Sequence, residues 1–304
     1  MPFKHVHLAL VASVMAIAAY LTSFQTEILY ASRYHIPKQC HGVGRKQGSG
    51  RYAVLTLLSS PKQVDQAVVL GKSITLYSRV ECRVDRIALL IEPEPSTVHK
   101  LQNAKWSIRP FAKDIEAMQT NRTRQSSCLP MLTKLQLLNM TEYDAVLFLD
   151  SNTVVLGNIM VLFTYHAPMM RRLSAHVGWV REQRLTLHYN PGVLLVIPDG
   201  FIFERSVKAL ASQQGCNEGG VLNSLWRDET FELDQIYNAM TAMAVQNVSF
   251  FDTIRNDVRV FHSTFFKPTY LFFMVRCYWH GTYDLCRAWA EIERMQTTKL
   301  PPSP

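Results

Sequence analysis

The chain has 304 residues, enough for one large domain or two small ones. Its 48% hydrophobic and 18% charged residues exclude an intrinsically disordered chain, and 13 Gly with 14 Pro exclude collagen-like or low-complexity structure. The net charge of +8 leans toward an anionic ligand or surface without choosing among nucleic acid, lipid and nucleotide-sugar, while a single long uncharged run excludes a polytopic membrane protein.

That run comes first. Lys4 is the only charged residue before Glu27, and between Val6 and Phe24 only His7, Ser13, Thr22 and Ser23 interrupt an apolar stretch. A helix needs roughly 20 such residues to cross a bilayer. Residues 6–24 therefore read as a signal-anchor helix. A cleaved signal peptide is the rival reading, with Ala16, Ala18 and Ala19 as small residues near a cleavage point. The positive charge precedes the run, so residues 1–5 are expected in the cytosol and the bulk of the chain in the lumen of the ER or Golgi. Six cysteines (Cys40, Cys82, Cys128, Cys216, Cys277 and Cys286) form no C-x-x-C pair, which argues against zinc and for disulfides in an oxidising compartment. Cys277 and Cys286 are nearest in sequence and are the favoured pair, although spacing does not fix connectivity. N-x-S/T sequons stand at Asn121, Asn139 and Asn247, with Asn139 the least favoured because a buried strand follows closely.

Residues 25–50 are polar and end Gly-rich, and read as a stem. YAVLTLL (52–58) predicts a strand. Ser60-Pro61 then gives an N-cap followed by proline in the first turn of a helix carrying Val64, Ala67, Val68, Gly71 and Ile74 at helical spacing. RIALLIE (86–92) predicts a second strand, and a helix precedes Trp106. Met131–Leu138 predicts a helix, and AVLFLD (145–150) a strand that ends in aspartate. Strand and helix alternate, which implies an α/β fold with a mostly parallel sheet and ligands at the carboxyl ends of its strands. In the second half, VGWV (177–180) and PGVLLVI (191–197) read as strands and FIFERSVKALAS (201–212) as a helix. CNEGGVLNSLW (216–226) reads as a Gly-centred turn entering a helix, and VRVFHSTFFKP (258–268) as a strand running into a loop. LPPSP closes a tail over 291–304.

Asp150 and Asn152 stand one residue apart at a strand exit. Two oxygen ligands so placed can grip a hard divalent cation, although an aspartate there is more often a turn residue or cap. The surrounding residues resemble glycosyltransferase family 8, the glycogenin-like retaining transferases. The matching blocks are TKL (133–135), Tyr143, FLDSN (148–152), VLGNI (155–159) and LF (162–163), in the family's D-x-D region. YAVLTLLSS (52–60) with AVVLGKSI (67–74), YNPGVLLVIP (189–198), EGGVLNSLW (218–226) and VFHSTFFKP (260–268) follow the family's order and extend the resemblance over residues 52–268. The tail with Cys277, Trp279 and Cys286 resembles that of plant members related to glucuronosyl- and hexosyltransferases.

The resemblance implies one GT-A nucleotide-diphospho-sugar transferase domain over residues 51–290, a Rossmann-like mixed sheet flanked by helices. It implies a UDP-sugar donor and Mn²⁺ held by Asp150, Asn152 and His262. Donor contacts would come from Leu57, Ser59, Lys134, Asp150, Ser151, Asn152, Asn190, Gly192, His262 and Lys267. Asp150, Glu218 and Lys267 would carry catalysis, transferring a hexose-type sugar to a glycan, protein or lipid acceptor. Taken singly, Leu57 reads as core, Lys134 as a solvated lysine and His262 as a structural histidine. The sequence departs from the family pattern at Asn152, Pro191, Glu218, Gly219, Phe265 and Thr269. Those departures leave a second reading, a non-catalytic member that binds a nucleotide-sugar or glycan or pairs with an active transferase. Nucleic acid is excluded as a partner, because the basic residues are scattered and no recognition motif appears.

Overall fold

A computed structural model of the chain describes residues 50–78, 84–90, 94–110, 134–181, 188–211, 218–264, 277–278 and 281–295. The expectations for residues 1–49, for Lys267, Phe265 and Thr269, and for Cys40, Cys82, Cys128, Cys216 and Asn121 lie outside these residues. Among the described residues, no helix is long and apolar enough to cross a membrane. Residues 39–304 form one compact unit.

A seven-stranded sheet organises that unit. Its strands are β1 (Tyr52–Leu58), β2 (Val84–Leu90), β3 (Ser107–Pro110), β4 (Ala145–Leu149), β6 (Val177–Arg181), β7 (Tyr189–Val196) and β8 (Thr230–Glu232). Their order is β3-β2-β1-β4-β7-β6-β8. The pairs β3–β2, β2–β1 and β1–β4 are parallel, β4–β7 and β7–β6 are antiparallel, and β6–β8 is parallel. The sheet is thus mostly parallel, as the alternation of elements predicts, with β7 alone reversed. That reversal brings the start of β7, Tyr189 and Asn190, to the carboxyl end of β4.

The central strands are buried on both faces and alternate strictly between two cores. Val54, Leu58, Leu147 and Leu149 pack on one face with Val64, Ala67, Leu70 and Ile74 of helix α1 (Val64–Tyr77). Leu55, Leu57, Val146 and Phe148 pack on the other, beneath Leu135, Leu137 and Leu138. Helix α1 starts as expected: Pro61–Gln63 form a 3-10 turn, and the Gln63 side-chain oxygen accepts from the backbone N–H of Ser59 and Ser60 at 2.7 and 3.0 Å. Gly71 on α1 has no Cβ because Ala104 and Trp106 lie against it; a Cβ there would sit 2.6 Å from Trp106 Nε1. Trp106 Nε1 donates to the Ala67 carbonyl at 2.8 Å, locking the chain after helix α2 (Pro95–Asn103) onto α1.

A second, three-stranded sheet has the order β5-β10-β9, with β5 Thr153–Val155, β9 Ala239–Met240 and β10 Val260–His262. β10 is the strand expected within VRVFHSTFFKP; β5, β9, β3 and β8 are too short to carry readable periodicity and are not evident in the sequence. The turn expected at the glycines of CNEGG is corrected by the structure, Cys216 and Asn217 lying outside the described residues. Helix Glu218–Leu225 takes in both glycines, because Val221 and Leu222 are buried against the sheet. Tertiary burial here outweighs the helix penalty of about 1 kcal/mol per glycine.

The C-terminal helix Tyr283–Arg294 packs Leu285, Trp289 and Ile292 into a third core with the small sheet. The expected Cys277–Cys286 disulfide is present in this core. Lys72 of α1 is buried, and its Nζ donates to the carbonyls of Glu293 and Met295 at 2.9 and 2.6 Å. This tie satisfies the last carbonyls of the helix. Asn139 and Asn247 are both exposed, so burial gives no reason to disfavour Asn139 as a glycan acceptor.

Candidate active site

The two sheets meet at the exit of β4, and the topology explains which residues gather there. Asp150 follows β4 directly, and its backbone N–H donates to the Gly192 carbonyl at 2.8 Å, clamping the exit of β4 to β7. The chain turns at Ser151 and Asn152; Thr153 closes that turn by donating its N–H to the Asp150 carbonyl at 3.0 Å and its hydroxyl to the same oxygen at 2.7 Å. Strand β5 then pairs antiparallel with β10, placing Thr153 opposite His262. A residue distant in sequence thereby reaches the aspartate.

His262 Nε2 lies 3.8 Å from Asp150 Oδ2, and Lys134 Nζ lies 3.3 Å from Asp150 Oδ1. Lys134 is 3% exposed, so the reading of a solvated lysine does not hold. It rises from the short helix at 134–136 and stands over the Phe148 ring, 4.8 Å from its centroid. Asp150 keeps 31% of its side-chain surface open, and it is the most accessible member of this group. Desolvation pushes its carboxyl above the usual carboxylate range, and the Lys134 ammonium pulls it back. Burial, helped by the Lys134 charge, pushes the His262 imidazole down to about 3, so the ring is neutral at physiological pH.

The other expected residues divide. Gly192 stands against the histidine: a Cβ would fall inside contact of His262 Cε1, 2.6 Å from Nδ1 and 2.9 Å from Asn190 Oδ1. Asn190 Oδ1 accepts the Gly192 N–H at 2.9 Å. Asn152 joins the small sheet, its Nδ2 donating to the Ser263 carbonyl at 2.9 Å while its own carbonyl accepts the Ser263 N–H at 3.1 Å. Ser151 is buried, with Oγ 3.4 Å from Gln66 Oε1 of α1. Leu57 packs in the core at the end of β1, and Ser59 turns its hydroxyl onto Gln63 Oε1 at 3.1 Å. Glu218 lies in the helix Glu218–Leu225.

Two residues unmarked by the sequence reading also support the site. Asn223 clamps Tyr189 at the start of β7 from both sides, accepting its N–H at 2.7 Å and donating to its carbonyl at 2.9 Å. Asn238, fully buried, contacts both Asn190 and His262. The N within EGGVLNSLW was an available signal for Asn223. Asn238 follows a 3-10 turn, Gln235–Tyr237, with no apolar pattern to mark it.

The donor set suits a hard or borderline divalent cation. Asp150 could supply a carboxylate oxygen and His262 a neutral imidazole, and the missing Cβ at Gly192 leaves the imidazole its place. Among the described residues, no three His, Cys, Asp or Glu side chains cluster, so such a cation would draw its remaining ligands from elsewhere. Magnesium-like sites with one or two protein ligands plus substrate phosphates have this character.

A mixed sheet of this order, with an acidic strand exit facing a small second sheet, defines a GT-A-type glycosyltransferase fold. Comparison with known proteins agrees. The chain matches GlyE, a glycosyltransferase of Streptococcus pneumoniae TIGR4, with a TM-score of 0.59 and 16% identity, over 83% of this chain and 62% of that one. It is 31% identical over 184 residues to inositol phosphorylceramide glucuronosyltransferase 1 of Arabidopsis thaliana, covering 59% of this chain and 31% of that protein. It is 26% identical over 182 residues to the Arabidopsis UDP-glucuronate:xylan alpha-glucuronosyltransferase 2, covering 58% and 27% respectively. The chain therefore spans about a third or less of the length of these curated relatives. No protein-family model matches it. These relatives and the fold support the resemblance to family 8 glycosyltransferases that the motifs carry.

Proposed function

We propose that the domain transfers a sugar from a UDP-sugar to an acceptor hydroxyl, with retention of anomeric configuration and dependence on a divalent cation such as Mn²⁺. The observation that carries this reading is the Asp150–His262 pair, 3.8 Å apart at the exit of β4, with the buried Lys134 on the other carboxylate oxygen. When bound there, the cation would neutralise the diphosphate and ease its departure. The protein's part is electrostatic and positional. Asp150 holds the cation side of the site and Lys134 keeps a fixed positive charge beside it, where the leaving group becomes more negative. Lys267 is assigned to the same diphosphate by its place in the closing motif, and Glu218 to the sugar side. Asn190 and Gly192 bring the start of β7 close to the donor sugar. Asn152 would serve as the third cation ligand through its amide oxygen.

Both named relatives transfer glucuronate, so UDP-glucuronate leads the donor panel, followed by UDP-glucose, UDP-galactose and UDP-N-acetylglucosamine. Their names give two unlike acceptors, a phosphorylceramide and a xylan, so the acceptor class stays with the glycans, proteins and lipids. The apolar run at 6–24 supports a single-pass anchor with the domain in the Golgi or ER lumen. The test is UDP release by the purified protein with each donor and Mn²⁺. Turnover with one donor that is lost in Asp150→Asn is expected, and undiminished turnover in Asp150→Asn would sink the assignment.

One observation favours a second reading, a nucleotide-sugar-binding partner without turnover. The Asn152 amide is committed to the Ser263 carbonyl, and the carboxylate of Asp150 already faces a buried lysine. Stabilisation by UDP with Mn²⁺, combined with no donor hydrolysis across the panel, selects this reading.

A further inference from the structure

Asn238 is 0% exposed and bridges two residues of the site. Its Nδ2 lies 3.0 Å from Asn190 Oδ1, and its Oδ1 lies 2.9 Å from His262 Nδ1. The two ends of an amide are told apart by their partners, and here a backbone group decides. The Gly192 N–H can only donate, and it points at Asn190 Oδ1 from 2.9 Å. That atom is therefore an acceptor oxygen. Asn238 must turn its NH₂ toward it, because two oxygens in contact would repel. Its carbonyl oxygen is then the atom facing His262. An oxygen accepts only if Nδ1 carries a proton.

We infer that Asn238 is a positioning residue that fixes His262 in the Nδ1–H tautomer and aims the Nε2 lone pair at the cation side of Asp150. The order propagates from one backbone N–H, at Gly192, through Asn190 and Asn238 to the imidazole. Metal-binding histidines are commonly oriented in this way by a hydrogen bond to the second ring nitrogen. The cation role of Nε2 rests on the proposed function; the tautomer rests on the hydrogen bonds alone. Asn238→Leu has nearly the same shape and removes both donor and acceptor. Asn238→Asp keeps an acceptor facing Nδ1 and removes the donor to Asn190.

The test is nitrogen NMR of the full chain carrying ¹⁵N-labelled histidine, with the His262 signals identified by their loss in His262→Gln, alongside Mn²⁺ titration in the presence of UDP. The wild type is expected to show a protonated Nδ1 and a bare Nε2. Asn238→Leu is expected to populate both tautomers and to weaken Mn²⁺ binding about 10–100-fold. Asn238→Asp is expected to keep the proton on Nδ1, because a carboxylate oxygen still accepts from it, even though it loses the bond to Asn190. A proton on Nε2 in the wild type overturns the inference, as does an Asn238→Leu protein with unchanged tautomer and affinity. If Asn238→Leu does not fold, the wild-type and Asn238→Asp spectra still decide. A wild type with the expected tautomer but no Mn²⁺ uptake with UDP refutes the cation site and leaves the hold of Asn238 on the tautomer standing.

Discussion

Replacing Gly192 with alanine drives a methyl group into His262. The new Cβ would stand 2.6 Å from Nδ1 and closer still to Cε1. Carbon contacts settle near roughly 3.5 Å, so the imidazole must retreat by about 0.9 Å or more. The ring has no easy retreat, because it is 4% exposed and bonded to Asn238 Oδ1 at 2.9 Å. Overpacking of this kind costs about 1–3 kcal/mol, and a domain of this size loses about 2–4 °C per kcal/mol, which gives a fall in Tm of about 2–12 °C. The functional loss should be larger, since metal–ligand distances hold within about 0.2 Å and the ring is displaced several times further. Mn²⁺ titration in the presence of UDP is expected to show affinity weakened at least about 10-fold in Gly192→Ala. Gly178→Ala provides the control, because its Cβ, within β6, would meet no atom closer than the flexible Met170 Sδ at 3.0 Å, with Leu195 Cβ at an ordinary 3.4 Å. Wild-type Mn²⁺ affinity in a folded Gly192→Ala protein would refute the placement of His262 as a cation ligand.

Other expectations follow from the same geometry. Asn152→Asp supplies a second carboxylate but sets an oxygen against the Ser263 carbonyl that the amide now satisfies at 2.9 Å; calorimetry is expected to show tighter Mn²⁺ binding together with about 1–3 kcal/mol lower stability. His166 is buried with both ring nitrogens lacking a hydrogen-bond partner among the described residues, and burial lowers its pKa to about 4 from 6.5. The unfolded chain therefore binds the extra proton first, so stability is full above pH 6.5 and is lost as pH falls toward 4, by up to about 3 kcal/mol. His166→Phe should remove that portion of the acid slope in urea titrations, and an unchanged slope would show that the ring titrates normally. Removing the Cys277–Cys286 bond, which closes a loop of sequence separation 9, should lower stability by about 2–3 kcal/mol, or about 4–12 °C in Tm, read by calorimetry of Cys277→Ser/Cys286→Ser.

The sequence discloses the parts of the fold whose hydrophobic pattern is long. β1, β4 and the Val193–Val196 half of β7 are near-continuous apolar runs because both faces of those strands are covered, and the Ser60-Pro61 start of α1 is written in capping chemistry. Asp150 could be placed at a strand exit because the apolar run stops there. The reversal of β7 could not be read, since the same YNPGVLLV pattern serves a parallel or an antiparallel strand, yet that reversal delivers Asn190 and Gly192 to the site. Of the small sheet, only β10 could be read. Two- and three-residue strands such as β9 and β5 hold no periodicity, and the pairing of β5 with β10 across roughly a hundred residues of sequence is set by packing. Lys134, His262 and Asn238 show the same limit: each is a polar residue whose burial is decided by elements distant in the chain.

Burial also gives Asn152 a physical reason. Lys134 places one positive charge and Asp150 one negative charge in the same enclosed corner, so the pair is neutral before any ligand arrives. A second carboxylate at position 152 would leave an uncompensated charge beside the buried His262, where desolvation is costly. An amide avoids that charge and uses its NH₂ to close the carbonyl of Ser263, the residue that follows β10. The resulting pocket has little net charge with which to attract a bare cation. A cation arriving with a diphosphate brings its own negative charge and gives Lys134 a second anionic partner. On the proposed function, Mn²⁺ and UDP are therefore expected to bind cooperatively, each tightening the other by the same factor, as linkage requires. Equal Mn²⁺ affinity with and without UDP would show that the carboxylate of Asp150, and not the charge balance with Lys134, governs uptake.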